Sequence, residues 1–290
     1  MSSTACIPNI GRRLRLIVEH KAVMPALYWR KKTHRRFNDT DGAGHIMVNV
    51  GGGYFLRRGW KSLDHHSSSY PYKVSYLDCN FDLTSGEPFP FADDSVRFFY
   101  SQHALEHIPQ EFCPHIFAEF HRCLAPGGAV RLCMPDFDKA YEAYRAGDGQ
   151  FFAHYHGAGA GVPEKALIAM FATGIVGKIT PEEVRDMAGS MDKEAFADHC
   201  TGLVSRADHQ NNRGNHINWW TYGKLERMFR EVGFDDIQNS SPHQSRFDEL
   251  RSDGTILGLG RLFSLDRIQG FDTADPHLSV YAEAVKGSEP

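Results

Sequence analysis

A chain of 290 residues with a net charge of −4 and no apolar run long enough to cross a bilayer is expected to be a soluble globular protein. Its six cysteines are scattered without a CxxC pair, which argues against a disulfide scaffold or a cysteine zinc site. Because the first residues also lack the apolar segment of a signal peptide, we expect a cytoplasmic protein with reduced thiols.

The charge is distributed unevenly along the chain. Residues 12–36 contain nine Lys or Arg and one acid, Glu19, so this segment carries +8 and the remainder −12. We predict that residues 1–43 form a basic helical arm, which either docks on the acidic body or makes a peripheral contact with an anionic surface. The arm does not alternate aromatic with basic residues, so no nucleic-acid partner is predicted.

Residues 44–136 alternate short apolar runs with amphipathic stretches, which is typical of βαβ units in a mostly parallel sheet. The first run, 46–50, leads into Gly51–Gly53, where the backbone can turn sharply and approach a ligand closely. The later runs are GWKSLD, KVSYLD, VRFFYS and AVRLCMP. Between the last two, HALEHIPQEFCPHIFAEFHRCLAPGG has apolar residues at helical spacing and ends in a turn at Pro126–Gly128.

Residues 137–215 interrupt the alternation and are predicted to form a helical insertion that acts as a substrate lid. One helix is expected to start at Thr180, with Pro181 in its first position and Glu183 closing a capping box. The aromatic and polar side chains of this region suit a polyhydroxylated ligand, and the predicted substrate contacts are Phe152, Arg213 and His216.

Residues 216–290 are predicted to complete the α/β core. The segment WWTYGKLERMFREVGF reads as an amphipathic helix that ends at Gly233, and strands are expected near DDIQNS and in LSVYAEAVK.

The glycine loop differs from that of dinucleotide-binding proteins, which have the pattern GxGxxG and an acid about twenty residues later. Leu56 replaces the third glycine, and Asp64 follows Gly51 by only 64 − 51 = 13 residues. The loop therefore suits a nucleoside without phosphates and disfavours an NAD-dependent oxidoreductase. Asp64, at the end of the second strand, is placed to accept hydrogen bonds from two ribose hydroxyls.

Several segments, taken in order, resemble class I S-adenosylmethionine (SAM)-dependent methyltransferases, and more narrowly a bacterial subfamily similar to small-molecule and carbohydrate methyltransferases. They are VNVGGGYFLRRGWKSLD, FDLTSGEPFPFADDSVRFFYSQHALEHI, EFHRCLAPGGAVRLCMPDFD, HINWWTYGKLERMFREVGF and DPHLSVYAEAVK. The resemblance covers about residues 44–136 and 216–290. It implies a Rossmann-like α/β fold with a mostly parallel seven-stranded sheet, an antiparallel last strand and a helical insertion.

The resemblance also implies SAM as the cofactor and a set of residues that bind it. Gly51 and Gly53, with Gly52 between them, would approach the methionine part of SAM, and Asp64 would hold the ribose.

The adenine of SAM would contact Asp82 and Leu83, with the Asp82 carboxylate accepting from the exocyclic amine. Asp78 is an alternative to Asp82, and a loop-capping role is the alternative function for Asp82 itself. Ser101, at the end of the fourth strand, would lie under the sulfonium.

The segment HALEH is predicted to open the helix that follows the fourth strand, at the edge of the sheet where the family binds the transferable methyl group. His103 and His107 are four residues apart and would share a helix face. An imidazole there can take the proton of a hydroxyl acceptor, so His107 is the first catalytic candidate and His103 the second. A packing role is the alternative for His107.

The two histidines, with Asp136 as a third ligand, could instead bind a metal. The segment lacks the glutamate that follows the first histidine in zinc proteases, so no metal site is predicted. We therefore predict a SAM-dependent methyltransferase that acts on a hydroxyl of a small molecule or sugar. An N-methyltransferase of a secondary metabolite and a SAM-binding subunit without catalytic activity are the alternatives.

Overall fold

A computed structural model describes residues 40–52, 59–66, 77–153, 161–251, 271–272 and 275–287. Gly53 and nearly all of the basic arm lie outside these residues, so the predictions made for them are not addressed by the structure. The cysteines within the described ranges are free thiols. None of the helices in these ranges is long and apolar enough to span a membrane.

The core is a single seven-stranded sheet with the strand order β3-β2-β1-β4-β5-β7-β6. Strand β7 runs antiparallel to both of its neighbours, β5 and β6, whereas the other pairings are parallel. This arrangement confirms the predicted α/β fold. The strands are β1 Ile46–Val50, β2 Trp60–Asp64, β3 Cys79–Asn80, β4 Val96–Gln102, β5 Leu124–Pro135, β6 Asp236–Ser240 and β7 Ser279–Val285.

The direction of the chain across the sheet reverses between β1 and β4, which lie side by side in the middle. At the ends of these strands Val50 is in register with Leu63 of β2 and with Ser101 of β4. In open α/β sheets, ligands bind outside the carboxyl ends of the strands at such a reversal. The fold therefore places a binding cleft beyond the ends of β1, β2 and β4.

Eight α-helices occur in the described residues. They are α1 Cys113–Cys123, α2 Phe137–Ala146, α3 Gly149–Ala153, α4 Pro163–Ala169, α5 Pro181–Ser190, α6 Lys193–Gly202, α7 Arg206–Asn211 and α8 Tyr222–Glu231. Helices α1 and α8 cover one face of the sheet, where Phe99 of β4 packs in one apolar cluster with Phe117, Trp220 and Phe229. The capping box predicted at Thr180 is present at the start of α5.

The helix predicted to begin at HALEH starts ten residues later, at Cys113. The chain leaves β4 at Gln102 and then forms two short 3-10 turns, Leu105–His107 and Gln110–Phe112. Pro109 explains the difference, because it disfavours a helical conformation in the residue before it and cannot donate a backbone hydrogen bond. Ile108 accordingly has an extended conformation, with φ −102° and ψ 129°.

Helices α2–α7 lie in the stretch 137–215, between β5 and α8. They bury a second apolar cluster around Phe137, Phe171 and Phe196. Two residues from outside the stretch, Trp219 and Leu278, belong to the same cluster. The helices are thus joined to the α/β core by shared packing.

Candidate active site

A cleft with a cavity volume of about 150 Å³ opens beyond the carboxyl ends of β1 and β2. Seven of the residues predicted from the sequence line this cleft: Gly51, Asp64, Asp82, Leu83, His103, His107 and Arg213. The fold therefore brings together side chains from five separate parts of the chain.

The glycine loop closes one side of the cleft with bare backbone. Gly51 has a φ of +65°, and a Cβ atom there would lie 2.3 Å from the Cβ of Ala104. At Gly52 a Cβ atom would lie 2.2 Å from Nδ2 of Asn49. Both contacts are far below van der Waals distance, so neither position has room for a side chain. The loop is held to β2 by a hydrogen bond from the Gly51 amide to the Leu63 carbonyl, 2.8 Å long.

Asp64 is the last residue of β2, and its carboxylate faces the cleft. Its Oδ1 accepts a hydrogen bond from the amide of His65 over 2.7 Å. This contact fixes the orientation of the carboxylate at the rim of the cleft.

Asp82 is already engaged by two partners in this structure. Its Oδ1 accepts hydrogen bonds from the amide and the hydroxyl of Thr84, at 2.9 Å and 2.7 Å, and its Oδ2 accepts from Nη1 of Arg213 at 2.9 Å. Burial would raise the pKa of Asp82, but the bonds from Thr84 and Arg213 outweigh it and lower the pKa to about 2. Asp82 therefore caps its loop as an ionised group and still lines the cleft.

Asp78, the alternative to Asp82, points elsewhere. Its Oδ2 accepts from the amide of Ser62 at 2.8 Å and lies 3.2 Å from the Ser62 hydroxyl, so it ties the chain before β3 to β2. Asp78 is not among the residues that line the cleft.

Three predicted site residues lie away from the cleft. The hydroxyl of Ser101 donates to the carbonyl of Val50 over 2.9 Å and is buried between β4 and β1. Phe152 belongs to the second apolar cluster and is 8% exposed, so its aromatic ring contributes to packing and not to the wall of the cleft. His216 lies behind the cleft, where its Nδ1 faces the carbonyl of Met170 at 2.9 Å.

At the inner wall of the cleft, four side chains form what we call the histidine–glutamate cluster: His103 and His107, which line the cleft, and Glu106 and His216, which lie behind them. Glu106 is fully buried, and its Oε1 lies 3.2 Å from Nδ1 of His103 and 3.9 Å from Nε2 of His107. The rings of His107 and His216 meet edge to face, with their centroids 4.9 Å apart. Sequence spacing could not reveal this cluster, because His216 is more than a hundred residues from the other members.

The pKa shifts within the cluster favour a charged form for some members and a neutral form for another. Burial would raise the pKa of Glu106, but the nearby histidines, above all His103, lower it to about 2. Burial works against a charge on His103, yet the Cys133 sulfur and the Glu106 carboxylate raise its pKa well above the ordinary value. His103 is thus protonated near pH 7, which makes it a poor base. Burial and the neighbouring His107 lower the pKa of His216 to about 4, so this ring is neutral.

The structure does not bring together the metal site considered from the sequence, which consisted of His103, His107 and Asp136. Asp136 accepts hydrogen bonds from the amides of Asp138 and Lys139 and caps the start of α2. His103 and His107 do not share an α-helix, since His103 has a left-handed φ of 49° before the first 3-10 turn. The described residues that could hold a metal together are Glu106, His107 and His216.

Sequence reasoning missed other residues that line the cleft, notably His65, Thr84 and His209. His209 lies in α7, and its Nε2 lies 3.1 Å from the carbonyl oxygen of His107, so it links the insertion to the histidine–glutamate cluster. Its position within the polar run DHQNNRGNH was the available signal. His65 could also have been identified from the sequence as a residue of the cleft, because it directly follows Asp64.

Residues 62–132, which run from β2 into β5, match the family model of a methyltransferase domain. No curated protein matches the sequence significantly.

Three solved structures illustrate the similarity. A complex of the Haloferax volcanii Trm112 methyltransferase activator with a methyltransferase is 14% identical, with 92% of this chain and 97% of that chain covered and a TM-score of 0.40. A SAM-dependent methyltransferase from Archaeoglobus fulgidus is 10% identical (93% and 98% covered, TM-score 0.39). Human N-acetylserotonin methyltransferase in complex with SAM is 11% identical (92% and 55% covered, TM-score 0.36).

The sheet order, the cleft at the strand reversal and the match of residues 62–132 identify a methyltransferase domain. The protein is a SAM-dependent methyltransferase. Gly51 presents bare backbone to the cleft and Asp64 presents carboxylate oxygens, and both features suit a nucleoside cofactor with ribose hydroxyls.

Proposed function

We propose that the protein transfers the methyl group of SAM to a hydroxyl group of a small molecule or sugar. One observation carries the proposal. The same cleft is lined by Gly51 and Asp64 and by two members of the histidine–glutamate cluster, His103 and His107. A methyl group delivered at the glycine loop would meet an acceptor activated at the histidines.

On the cofactor side, we assign the methionine part of SAM to the backbone at Gly51 and the ribose to Asp64. The adenine would lie against Leu83 and Asp82. Each carboxylate oxygen can accept two hydrogen bonds, so Asp82 can receive the adenine amine while it keeps Thr84 and Arg213.

On the acceptor side, the chemistry needs a group that helps a hydroxyl lose its proton. In the reaction, the bond from sulfur to the methyl carbon breaks as the bond from the acceptor oxygen to that carbon forms. The products are a methyl ether, S-adenosylhomocysteine and one proton. An amine acceptor requires less help, because its lone pair is nucleophilic without a base.

His107 is the member of the cluster best placed to assist. Its Nδ1 lies 3.1 Å from the carbonyl of Asn215, which fixes the Nδ1–H tautomer and leaves the lone pair on Nε2. Its side chain is 17% exposed and lines the cleft, whereas Glu106 is 1% exposed. We therefore place the acceptor hydroxyl beside Nε2 of His107.

The cleft continues into a second depression lined by Thr84, His209 and Arg213, which both cavities share, and by polar residues of α6 and α7. Such a wall offers hydrogen-bond donors and acceptors to an acceptor with several hydroxyls. This favours a sugar or a similar polar molecule. We therefore assign the acceptor-binding role, which was predicted for the whole insertion, to α7 and the loop after it.

Methyl transfer from isotopically labelled SAM to a panel of sugars, phenols and amines tests the proposal. We expect label in a methyl ether, and less of it with Asp64→Ala at low SAM concentration, because this variant should bind SAM about tenfold more weakly or worse. Transfer to nitrogen alone would overturn the hydroxyl assignment. Failure of the wild-type protein to bind SAM or S-adenosylhomocysteine in calorimetry would overturn the site as a whole.

A further inference from the structure

The carboxylate of Glu106 has more oxygen lone pairs than there are hydrogen-bond donors around it in the histidine–glutamate cluster. Glu106 is buried and ionised, and neither of its oxygens accepts a well-aligned hydrogen bond from a described residue. Its contact with His103 is an ion pair at 3.2 Å that involves Oε1. His103 thus supplies one positive charge beside Oε1, whereas Oε2 has neither a hydrogen bond nor an ion pair with a described residue. A buried carboxylate oxygen without a partner is costly, which indicates that a second cation belongs beside Glu106.

The two other histidines of the cluster are each oriented by a backbone carbonyl. Nδ1 of His107 faces the carbonyl of Asn215 at 3.1 Å, and Nδ1 of His216 faces the carbonyl of Met170 at 2.9 Å. A carbonyl can only accept, so each Nδ1 carries the proton and each Nε2 carries a lone pair. Histidines that bind metals are oriented in this way by a second-shell acceptor on the other ring nitrogen.

One ligand atom from each of Glu106, His107 and His216 lies within 4.8 Å of the other two. Ligands on one ion at about 2.0–2.2 Å are separated by about 3–4 Å, so side-chain movements of about 1 Å would complete the site. We propose that these three residues bind a divalent transition-metal ion, with an open coordination position towards the cleft.

The ligand set decides which ion is suitable. Two imidazoles and one carboxylate suit zinc or another first-row transition metal, whereas magnesium prefers oxygen ligands. The sequence predicted no metal because HALEH lacks the zinc-protease order of His and Glu, and His216 was not considered as a ligand because it is far from HALEH along the chain.

The role of this ion in catalysis rests on the proposed function. An acceptor hydroxyl bound at the open position would have a lowered pKa and would release its proton to water as the methyl group arrives. His107 would then be a ligand of the ion and not the proton acceptor. The two roles give different results when the ion is removed.

The test uses the full chain after treatment with a chelator and its removal. Cobalt(II), whose visible absorption reports its coordination, and zinc are titrated into the protein, and SAM binding is measured on the same sample by calorimetry. We expect one equivalent of ion to bind at this site. His216→Asn keeps a donor for the Met170 carbonyl but removes the lone-pair nitrogen, and it should weaken cobalt binding by about tenfold or more.

Glu106→Gln provides a second variant with the same expectation, and thermal melting shows whether each variant is folded. His115→Asn is the matched control, since Nε2 of His115 contacts only the carbonyl of Glu87 among the described residues, on the exposed side of α1. It should bind cobalt as the wild type does.

If the chelator-treated protein binds neither ion, or if both variants bind cobalt unchanged, the metal site is wrong. Full methyl transfer by metal-free protein would also overturn the role of the ion, while leaving the proposed function in place with His107 as a base. Loss of SAM binding by the untreated wild type would instead contradict the proposed function.

Discussion

Arg213 and Asp82 join the insertion to the cofactor side of the cleft, with Nη1 of the arginine 2.9 Å from Oδ2 of the aspartate. Sequence reasoning assigned Arg213 to the acceptor and Asp82 to the adenine of SAM, as members of separate regions. The ion pair means that the two regions are coupled. Acceptor binding near Arg213 would therefore alter the contacts of Asp82, where we place the adenine of SAM.

The first prediction concerns this ion pair. Arg213→Ala should weaken SAM binding by about two- to fivefold, because a partly exposed ion pair contributes about 0.2–1 kcal/mol and Asp82 would lose its fixed orientation. Calorimetry with SAM measures the effect. Arg185→Ala, which removes ion pairs to the buried Glu164 and the exposed Glu182 within the insertion, is the control and should leave the affinity unchanged. Unchanged SAM affinity in Arg213→Ala, together with a raised KM for the acceptor, would return Arg213 to an acceptor-only role.

A second prediction concerns Asp64. Asp64→Ala should lower the affinity for SAM and for S-adenosylhomocysteine by about tenfold or more, because each unpaired ribose hydroxyl costs about 1–3 kcal/mol. Asp93→Ala, an exposed carboxylate that pairs with Arg122, should bind SAM normally. Equal affinities of the two variants would remove Asp64 from the cofactor site.

The third prediction separates backbone strain from steric overlap at the glycine loop. Gly51→Ala places a side chain at φ +65° and also 2.3 Å from Ala104, whereas Gly86→Ala has a similar φ of +72° and no atom within 4 Å. Both should lose about 1–2 kcal/mol of unfolding free energy from strain. Gly51→Ala should lose about 1–3 kcal/mol more from overlap and should bind SAM weakly.

A double variant tests the cause of that additional loss. Ala104→Gly removes the atom that the new side chain would meet, so Gly51→Ala with Ala104→Gly should recover most of the loss caused by overlap. Chemical denaturation measures all four proteins. If the double variant is no more stable than Gly51→Ala, the close approach of the two residues is not the reason for the glycine.

Local pattern was sufficient to predict the sheet, because strands such as Ile46–Val50 are buried apolar runs bounded by turn residues. It was also sufficient to place Asp64 at the end of a strand, where the structure has it beside the cleft; its contact with the ribose stays a prediction. The pattern failed at HALEH, where helical spacing of apolar residues was interrupted by one proline, Pro109. Here the conformational restriction before proline outweighed the periodicity.

Other features of the site depend on contacts between distant parts of the chain. An aromatic residue in a polar insertion suits either a ligand or a core, and only the packing of α3 against its neighbours decided that Phe152 belongs to the core. The meeting of His216 with Glu106 likewise depends on how the insertion returns to the sheet. No spacing rule covers such long-range contacts.

The pH dependence of stability provides the fourth prediction. The pKa of His216 is about 4 in the folded protein and about 6.5 as its ordinary value, so the unfolded chain binds the proton first as the pH falls. This contribution is fully present above about pH 6.5 and is lost as the pH falls towards 4, by up to about 3 kcal/mol. His216→Asn should therefore lose less stability than the wild type between pH 6.5 and 4.5, as measured by chemical denaturation. If both proteins lose the same free energy of unfolding over this pH range, His216 is not held neutral in the folded wild type.

The last prediction concerns the reaction itself. His107→Asn keeps an N–H for the carbonyl of Asn215 but removes Nε2, the lone-pair nitrogen that faces the cleft. Activation of a hydroxyl contributes about 10²–10⁴ in rate, so kcat should fall by that factor while SAM affinity stays within about twofold of the wild type. Steady-state kinetics with the acceptor found in the labelled-SAM screen measures the first quantity, and calorimetry the second. His115→Asn should behave as the wild type in both. A folded His107→Asn protein that keeps more than about a tenth of the wild-type kcat would exclude His107 from activation of the acceptor, whether as a base or as a metal ligand.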